Sequence, residues 1–352
     1  MIYTLIALSP FGANSPFQGS RLDLETFPLR GIVSGGVPKD GIPALTNPAF
    51  VGATDISFMA EDDLVLGLVV DGIARAYPEN IGWWHEIVND EIGGHSISVT
   101  FCPLTGTGLV FEAADGGQLE LGVSGRLFNN NLVTYDRRDG ETLYPQIYFT
   151  GVSGSRTGES LTLLPVVETT WRTWKRLHPD TEVVDGVFSE SRYTQYPYRD
   201  YRTDDDFLIF PLNPDIFENR NPYADDYGRK DSMLGVRLNG EPRAYLFEKM
   251  GQQAVINDEL GGVDILVVWD QDSHLALPYA REVDGQSLTF AIEDDGGFPF
   301  SLVDDQTGSV WDIHGRAIEG PMTGARLTRV PAHNSFWFAW VTFWQDTDMW
   351  TP

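Results

Sequence analysis

A six-residue turn sequence occurs twice in this chain, and its recurrence limits the possible folds more than any other feature. Residues 89–94 read NDEIGG and residues 257–262 read NDELGG, an offset of 168 residues (from 89 to 257). At the same offset, residues 75–77 and 243–245 both read RAY. An ungapped match over this span, carried by glycines and a turn, indicates an internal duplication. We therefore expect two homologous units in tandem.

Further matches extend the two copies and suggest where each one ends. Asp136, Gly140, Trp171 and Trp174 correspond to Asp304, Gly308, Trp337 and Trp340, the tryptophans after a two-residue gap. The chain then divides into an irregular lead-in at 1–55, a first unit at 56–184, a connector at 185–231 and a second unit at 232–352. We expect any functional site in the first unit, with the second unit serving as a scaffold.

Local patterns predict an α+β fold dominated by strands. Residues 64–77 predict two strands around Asp71-Gly72, and residues 86–88 and 96–101 predict a hairpin whose turn is 89–94. The one helix expected in the first unit covers 170–177, and its counterpart in the second covers 335–343. The two tryptophans of each helix share a face. Because both copies have them, we expect packing onto the sheet rather than binding of a planar ligand.

Charge and composition exclude several classes of protein. The chain has 352 residues and a formal net charge of −27, which disfavours nucleic acid and anionic membranes as partners. No apolar run reaches membrane-spanning length. Acidic clusters at 204–206, 225–226 and 293–295 are typical of a solvated acidic surface, with calcium binding as the alternative.

The termini and the cysteine content say little about location. Residues 1–8 are apolar but lack a basic start, so they fit either the remnant of a signal peptide or a first strand. A single cysteine cannot form an internal disulfide, so the redox compartment is not fixed.

Cys102 and His85 are the main candidates for a functional site. At the corresponding positions the second unit has Asp270 and Gln253, so the copies differ here while turn and core residues are kept. Cys102 and His85 are candidate catalytic residues, because a cysteine beside a histidine can be an activated nucleophile. The alternative is an inert, buried cysteine.

The same region offers a candidate metal site. His85, Cys102, His95 and Gln146 would form it, and a thiolate with imidazoles suits copper or zinc. A weaker candidate metal site is the alternating set Asp270, Asp272 and His274, which lacks the glycine and distal glutamate of a helix–loop–helix calcium site.

Several motifs together resemble those of the domain of unknown function 3179 (DUF3179) family. They lie at 35–44, 75–78, 85–90, 102–104, 124–125, 135–146 and 169–179, with further matches at 230–235 and 243–245. The resemblance implies an extracytoplasmic protein, periplasmic or secreted, and brings no established catalytic residues. Family members often have a second cysteine where this chain has Thr105, so an internal dithiol mechanism is disfavoured.

These observations lead to three functional hypotheses. The first is an extracytoplasmic protein that binds a metal ion or small ligand near Cys102 and His85. The second is an enzyme that uses Cys102 as a single thiolate nucleophile. The third is a non-catalytic structural or interaction module in which Cys102 is inert.

Overall fold

A computed structural model describes residues 22–212, 221–293 and 297–352 of the chain. The expectation for residues 1–8 and most of the acidic cluster at 293–295 lie outside the described residues. Within these ranges the protein is dominated by strands arranged in several sheets, as the sequence predicts.

The first half of the chain contains fourteen strands in the described residues. They are β1 (Ile32–Ser34), β2 (Leu45–Thr46), β3 (Phe50–Gly52), β4 (Leu64–Val70), β5 (Ile73–Pro78), β6 (Ile87–Ile92), β7 (His95–Cys102), β8 (Thr107–Glu112), β9 (Leu121–Phe128), β10 (Asn131–Asp136), β11 (Leu143–Pro145), β12 (Thr162–Leu164), β13 (Val167–Thr170) and β14 (Glu182–Val184). Three sheets result, with the strand orders β12-β8-β7-β6-β2, β13-β4-β5-β14-β3 and β1-β9-β10-β11.

The second half repeats much of this arrangement. Its strands are β15 (Ser232–Leu238), β16 (Glu241–Leu246), β17 (Gln253–Leu260), β18 (Val263–Asp270), β19 (Leu275–Ala280), β20 (Glu282–Val283), β21 (Gln286–Ser287), β22 (Phe290–Ile292), β23 (Leu302–Asp304), β24 (Val310–Trp311), β25 (Ala317–Glu319), β26 (Thr328–Arg329), β27 (Ala332–Phe336) and β28 (Asp348–Met349). The sheet orders are β27-β15-β16-β28, β17-β18-β19-β26, β22-β23-β24-β25 and β20-β21.

The helices of the described residues are all short. They are α1 (Glu79–His85), α2 (Trp171–Leu177), α3 (Glu190–Tyr193), α4 (Phe247–Met250) and α5 (Trp337–Phe343), with 3-10 turns at Leu29–Gly31 and Gln146–Tyr148. The two predicted helices are confirmed as α2 and α5. Thr170 caps α2, since its side chain accepts a hydrogen bond from the Thr173 backbone N–H.

A tryptophan packs over a bare glycine in each half. A Cβ atom added to Gly67 of β4 would lie 2.2 Å from the Trp174 ring, and one added to Gly235 of β15 would lie 2.1 Å from Trp340. The Trp174 indole N–H donates to the Thr181 hydroxyl and the Trp340 indole N–H to the Thr347 hydroxyl, each at 2.8 Å. The packing interpretation of these tryptophans is therefore confirmed.

The repeated NDE-GG sequence builds the same structure twice. Asp90 accepts hydrogen bonds of 2.7 Å from Arg75 and from Tyr77. Asp258 accepts the equivalent bonds from Arg243 and Tyr245 at 2.8 and 2.7 Å. These acidic residues lie inside the strands, and only the glycine pair forms the turn, where positive φ angles favour glycine.

Two local expectations are wrong. The predicted turn at 89–94 is confined to Gly93-Gly94, because strand β6 continues to Ile92. The buried Asn89 side chain stabilises this strand: its amide donates to the Leu121 carbonyl and accepts from the Leu121 N–H. The first half also has a helix besides the one expected at 170–177: α1, whose last residue is His85. Local patterns do not indicate it, because no side chain caps its start at Pro78 and Gly82 lies in its interior.

The connector contacts both halves. Tyr193 and Tyr201 are fully buried against the first half, and the Tyr201 hydroxyl donates to the Leu104 carbonyl at 2.9 Å. On the other side, the Asn221 amide donates to the backbone of Thr347 at 2.7 Å.

Reciprocal hydrogen bonds join the two halves directly. The Phe336 N–H donates to the Thr105 carbonyl at 2.8 Å, and the Thr170 N–H donates to the Ser273 carbonyl at 3.2 Å. Thr105 and Ser273 occupy equivalent loops, β7–β8 and β18–β19, and each donor ends the strand before the tryptophan helix of its half. The junction is therefore close to two-fold symmetric.

No helix in the described parts of the chain has both the length and the apolar character to cross a membrane.

The glycine–tryptophan contacts give a first testable prediction. Replacing Gly67 or Gly235 with alanine should lower the free energy of unfolding by about 1–3 kcal/mol, because the new methyl group overlaps an indole ring. Denaturant unfolding measures the change. Gly52→Ala, at the exposed end of β3, is the control and should stay close to the native value, because an added Cβ atom would meet only the Asp55 carboxylate, at 3.3 Å. Unchanged stability in Gly67→Ala and Gly235→Ala would contradict the packing described.

Candidate functional site

A cleft with apolar walls and a few polar side chains lies at the junction of the two halves. Its volume is about 200 Å³, and its lining comes from both halves and from the connector. Three pairs of equivalent positions line it: Leu64 and Ser232, Gly106 and His274, Glu168 and Asn334. The cleft therefore lies near the approximate two-fold axis that relates the halves, and its two sides carry different side chains.

Glu168 of β13 is the best candidate for a ligand contact. Its Oε1 accepts a hydrogen bond of 2.8 Å from the Asn334 amide, and the His274 Nε2 lies 3.4 Å away. The side chain is only 9% exposed, and its Oε2 is buried without a hydrogen bond from any described residue. A buried oxygen without a donor is unfavourable, so Oε2 is suited to accept a hydrogen bond from a bound molecule.

Glu79, at the start of α1, places a second buried carboxyl in the same cleft. Burial and the charge of Glu168 raise the pKa of Glu79 well above its usual range, with a smaller contribution from Asp63. Arg202 and a hydrogen bond from Trp83 oppose the shift. The environment therefore favours a neutral, protonated Glu79 beside Glu168.

Two cations face the cleft but differ in availability. Lys230 is buried, and its Nζ donates to the carbonyls of Tyr201, Asp204 and Phe207, so all three of its protons are used. Arg202 is exposed, and in the described part of the chain its guanidinium makes no hydrogen bond or ion pair. Arg202 is therefore the cation that can meet a ligand.

Aromatic rings supply the apolar walls. Trp83, Phe101, Tyr196 and Phe336 all line the cleft. The Arg202 guanidinium lies 4.7 Å from the centre of the Tyr196 ring and 5.4 Å from that of Trp83, which holds it beside the opening.

Cys102 lies behind the cleft rather than in it. Its neighbours Phe101 and Pro103 line the cleft, while the Cys102 side chain packs into an apolar cluster and is 1% exposed. The thiol donates weakly to the Asn130 carbonyl at 3.7 Å. Burial, with the nearby charge of Glu86, raises the pKa of Cys102 to about 11, which disfavours the thiolate.

The structure gives His85 partners of its own. Its Nδ1 bonds to the Pro43 carbonyl at 2.7 Å and its Nε2 to the Tyr193 hydroxyl at 2.8 Å, and its ring stacks on Phe188. Burial lowers the pKa of His85. No hydrogen bond joins it to Cys102, whereas the equivalent Gln253 and Asp270 bond directly at 2.8 Å.

The other predicted ligands lie apart from these two. His95 is on the surface beside Glu112, at 2.8 Å. Gln146 is buried and donates to Thr100 and Thr107 at 2.8 and 3.1 Å. The structure does not gather the four residues around one point.

The second predicted set also separates. Asp270 is buried and bonded to Gln253, Asp272 is exposed, and His274 alone reaches the cleft. Across the described ranges, no group of three or more His, Cys, Asp or Glu side chains is arranged to hold a metal ion. Metal binding by either set stays a prediction. Elemental analysis of the native protein, His85→Ala and Cys102→Ala would test it for the first set.

Sequence reasoning missed Glu79, Glu168 and Arg202. The sequence does contain a signal for some of the cleft residues, because equivalent positions differ between the halves here as well. Glu168 corresponds to Asn334, and His274 corresponds to Gly106. What the sequence lacks is the junction that brings them together.

Comparison with known families agrees with the resemblance noted above. The family model described as "Protein of unknown function (DUF3179)" matches residues 39–347. The chain belongs to the DUF3179 family. All cleft residues named above lie within the matched range. No curated protein and no solved structure matches the chain.

The burial of Cys102 predicts slow chemistry at its thiol. In the native DUF3179 protein at pH 8, an aromatic disulfide reagent should label Cys102 at least about a hundredfold more slowly than in denaturant, because the thiol is both enclosed and protonated. Absorbance of the released thiolate measures both rates. Native labelling as fast as that of the unfolded chain would instead support the nucleophile hypothesis.

Glu86 predicts a pH dependence of stability. This residue follows α1 in a left-handed conformation, and burial raises the pKa of its carboxyl to about 8. Between about pH 5 and pH 8 the folded state then holds a proton that the unfolded state has lost, so Glu86 makes stability fall as pH rises, by at most roughly 1.4 kcal/mol per pH unit.

Glu86→Gln removes this titration. Its free energy of unfolding should decline less steeply than that of the native protein between pH 5 and pH 8, measured by denaturant unfolding at each pH. Glu91→Gln, at an exposed carboxyl of β6, is the control and should follow the native profile. Parallel native and Glu86→Gln profiles would show that Glu86 is ionised in the folded state.

Proposed function

We propose that this DUF3179 protein binds a small polar molecule in the cleft between its two halves. One observation carries the proposal: Glu168 lines an aromatic-walled cleft, and its buried Oε2 accepts no hydrogen bond from the described residues. Neutral Glu79, the His274 imidazole and the Asn334 amide add donors and acceptors around it. Binding sites typically combine apolar walls with a few such polar groups.

The proposal places the site at the junction rather than around Cys102 and His85. Both ring nitrogens of His85 are engaged within the protein, and Cys102 is buried behind Phe101 and Pro103. The thiolate hypothesis has no supporting observation in this arrangement.

We also propose that the two halves arose by duplication, and that the duplicated units span residues 56–184 and 232–352. The constant sequence offset, the matching strand orders and the paired glycine–tryptophan contacts support it. Duplication explains how one side of the cleft came to carry a carboxylate where the other carries an amide. Extracytoplasmic location is also part of the proposal and rests on the family resemblance.

Glu168→Gln tests the binding function. We expect that at least one of four compound classes, namely L-amino acids, primary amines, monosaccharides and dicarboxylates, raises the thermal midpoint of the native protein in a concentration-dependent way. Glu168→Gln should lose this rise while melting no lower than the native protein without ligand, because the variant removes a buried charge.

Glu182→Gln, at a half-exposed carboxyl of β14, is the matched control and should keep the native response. No response from any of the four classes, or a response that survives in Glu168→Gln, would contradict the proposed site.

A further inference from the structure

The charges that face the cleft are separated by sign. The negative charge is on Glu168, whose side chain is nine-tenths buried. The available positive charge is on Arg202, which is exposed at the opening. Glu79 lines the same cleft and is affected by both charges, and its protonated form adds hydrogen-bonding capacity without a second negative charge.

This separation disfavours ligands of a single sign. A simple cation would bind Glu168 but would meet the charges of Arg202 and Lys230 nearby. A simple anion would bind Arg202 but would have to approach Glu168. A molecule that carries both signs at opposite ends meets a partner at each end and leaves no buried charge uncompensated.

The hydrogen-bonding groups agree with the charges. An ammonium group has three donors, and the unpartnered Glu168 Oε2 is an acceptor in need of one. A carboxylate matches the fork of the Arg202 guanidinium, which holds no other hydrogen-bond partner among the described residues. Charge-assisted bonds of both kinds are stronger than neutral ones.

Size and shape restrict the ligand further. A cleft of about 200 Å³ is smaller than the 300–1,000 Å³ usual for larger organic ligands, so it suits a single small molecule rather than a peptide. The rings of Trp83, Tyr196 and Phe336 offer an apolar surface for a short side chain.

Resting on the proposed function, we infer that the ligand is a zwitterion that carries an ammonium group and a carboxylate, of which a free α-amino acid is the simplest form. Its ammonium group binds Glu168 at the buried end, and its carboxylate binds Arg202 at the opening.

Calorimetric titration with free amino acids tests this inference. Each of the twenty L-amino acids is titrated into the native protein, and the tightest is compared with the amine that lacks its carboxylate and the acid that lacks its amine. For leucine these are 3-methylbutylamine and 4-methylpentanoate. We expect at least one amino acid to bind, and each truncated compound to bind at least about tenfold more weakly.

Two variants assign the ends of the ligand. Glu168→Gln and Arg202→Gln should each weaken amino-acid binding at least about tenfold, and Arg202→Gln should fold normally because its side chain is exposed. With the truncated compounds the effects should split: Glu168→Gln should further weaken the amine, and Arg202→Gln the acid. Arg172→Gln, which removes an exposed guanidinium paired with Asp62, is the control and should bind like the native protein.

The outcomes separate this inference from the proposed function. Glu168-dependent binding of a monosaccharide or simple amine, without binding of any amino acid, overturns the zwitterion inference and leaves the cleft as a binding site. Amino-acid binding that is unchanged in both Glu168→Gln and Arg202→Gln also overturns the inference. A native protein that binds no compound of any class overturns both.

Discussion

Two reciprocal backbone hydrogen bonds, from Phe336 to Thr105 and from Thr170 to Ser273, hold the halves of the protein together at their tryptophan helices. Each bond ties the end of a strand in one half to a loop in the other, so the junction is fixed by main-chain geometry. The cleft exists because this junction leaves a space between the two loops. Every side chain assigned to the ligand is positioned relative to that junction, which is why the site belongs to neither half alone.

Much of the fold could be predicted from the sequence, because its signals are local or repeated. The apolar residues on either side of Asp71-Gly72 predict β4 and β5, and the recurrence of NDE-GG predicts the two hairpins β6–β7 and β17–β18. Helix α1 could not be predicted in this way, because it lacks the side-chain cap that Thr170 gives α2 and has Gly82 in its interior.

The candidate site could not be predicted in the same way. Glu79 and Glu168 are 89 positions apart in the sequence, and Arg202 lies in a connector without periodicity, so nothing local joins them. Cys102 drew attention because it is unique, yet a unique cysteine is more often a small buried hydrophobe, as its surroundings here show. The difference between equivalent positions also marks Glu168 and His274, but only the junction shows which of the differing positions face the same space.

The buried carboxyl groups of the cleft are unfavourable for the stability of the unliganded protein. Two carboxyls share a buried space, one of them favoured in its neutral form and the other with an oxygen that lacks a donor. Proteins keep such arrangements where a ligand supplies the missing partner. The most direct test is a crystal structure of the protein grown with the amino acid that it binds best. We expect the ligand nitrogen about 2.7–2.9 Å from Glu168 Oε2, with the ligand carboxylate facing Arg202. A ligand bound elsewhere, with Glu168 Oε2 paired to another protein group, would contradict the proposed site.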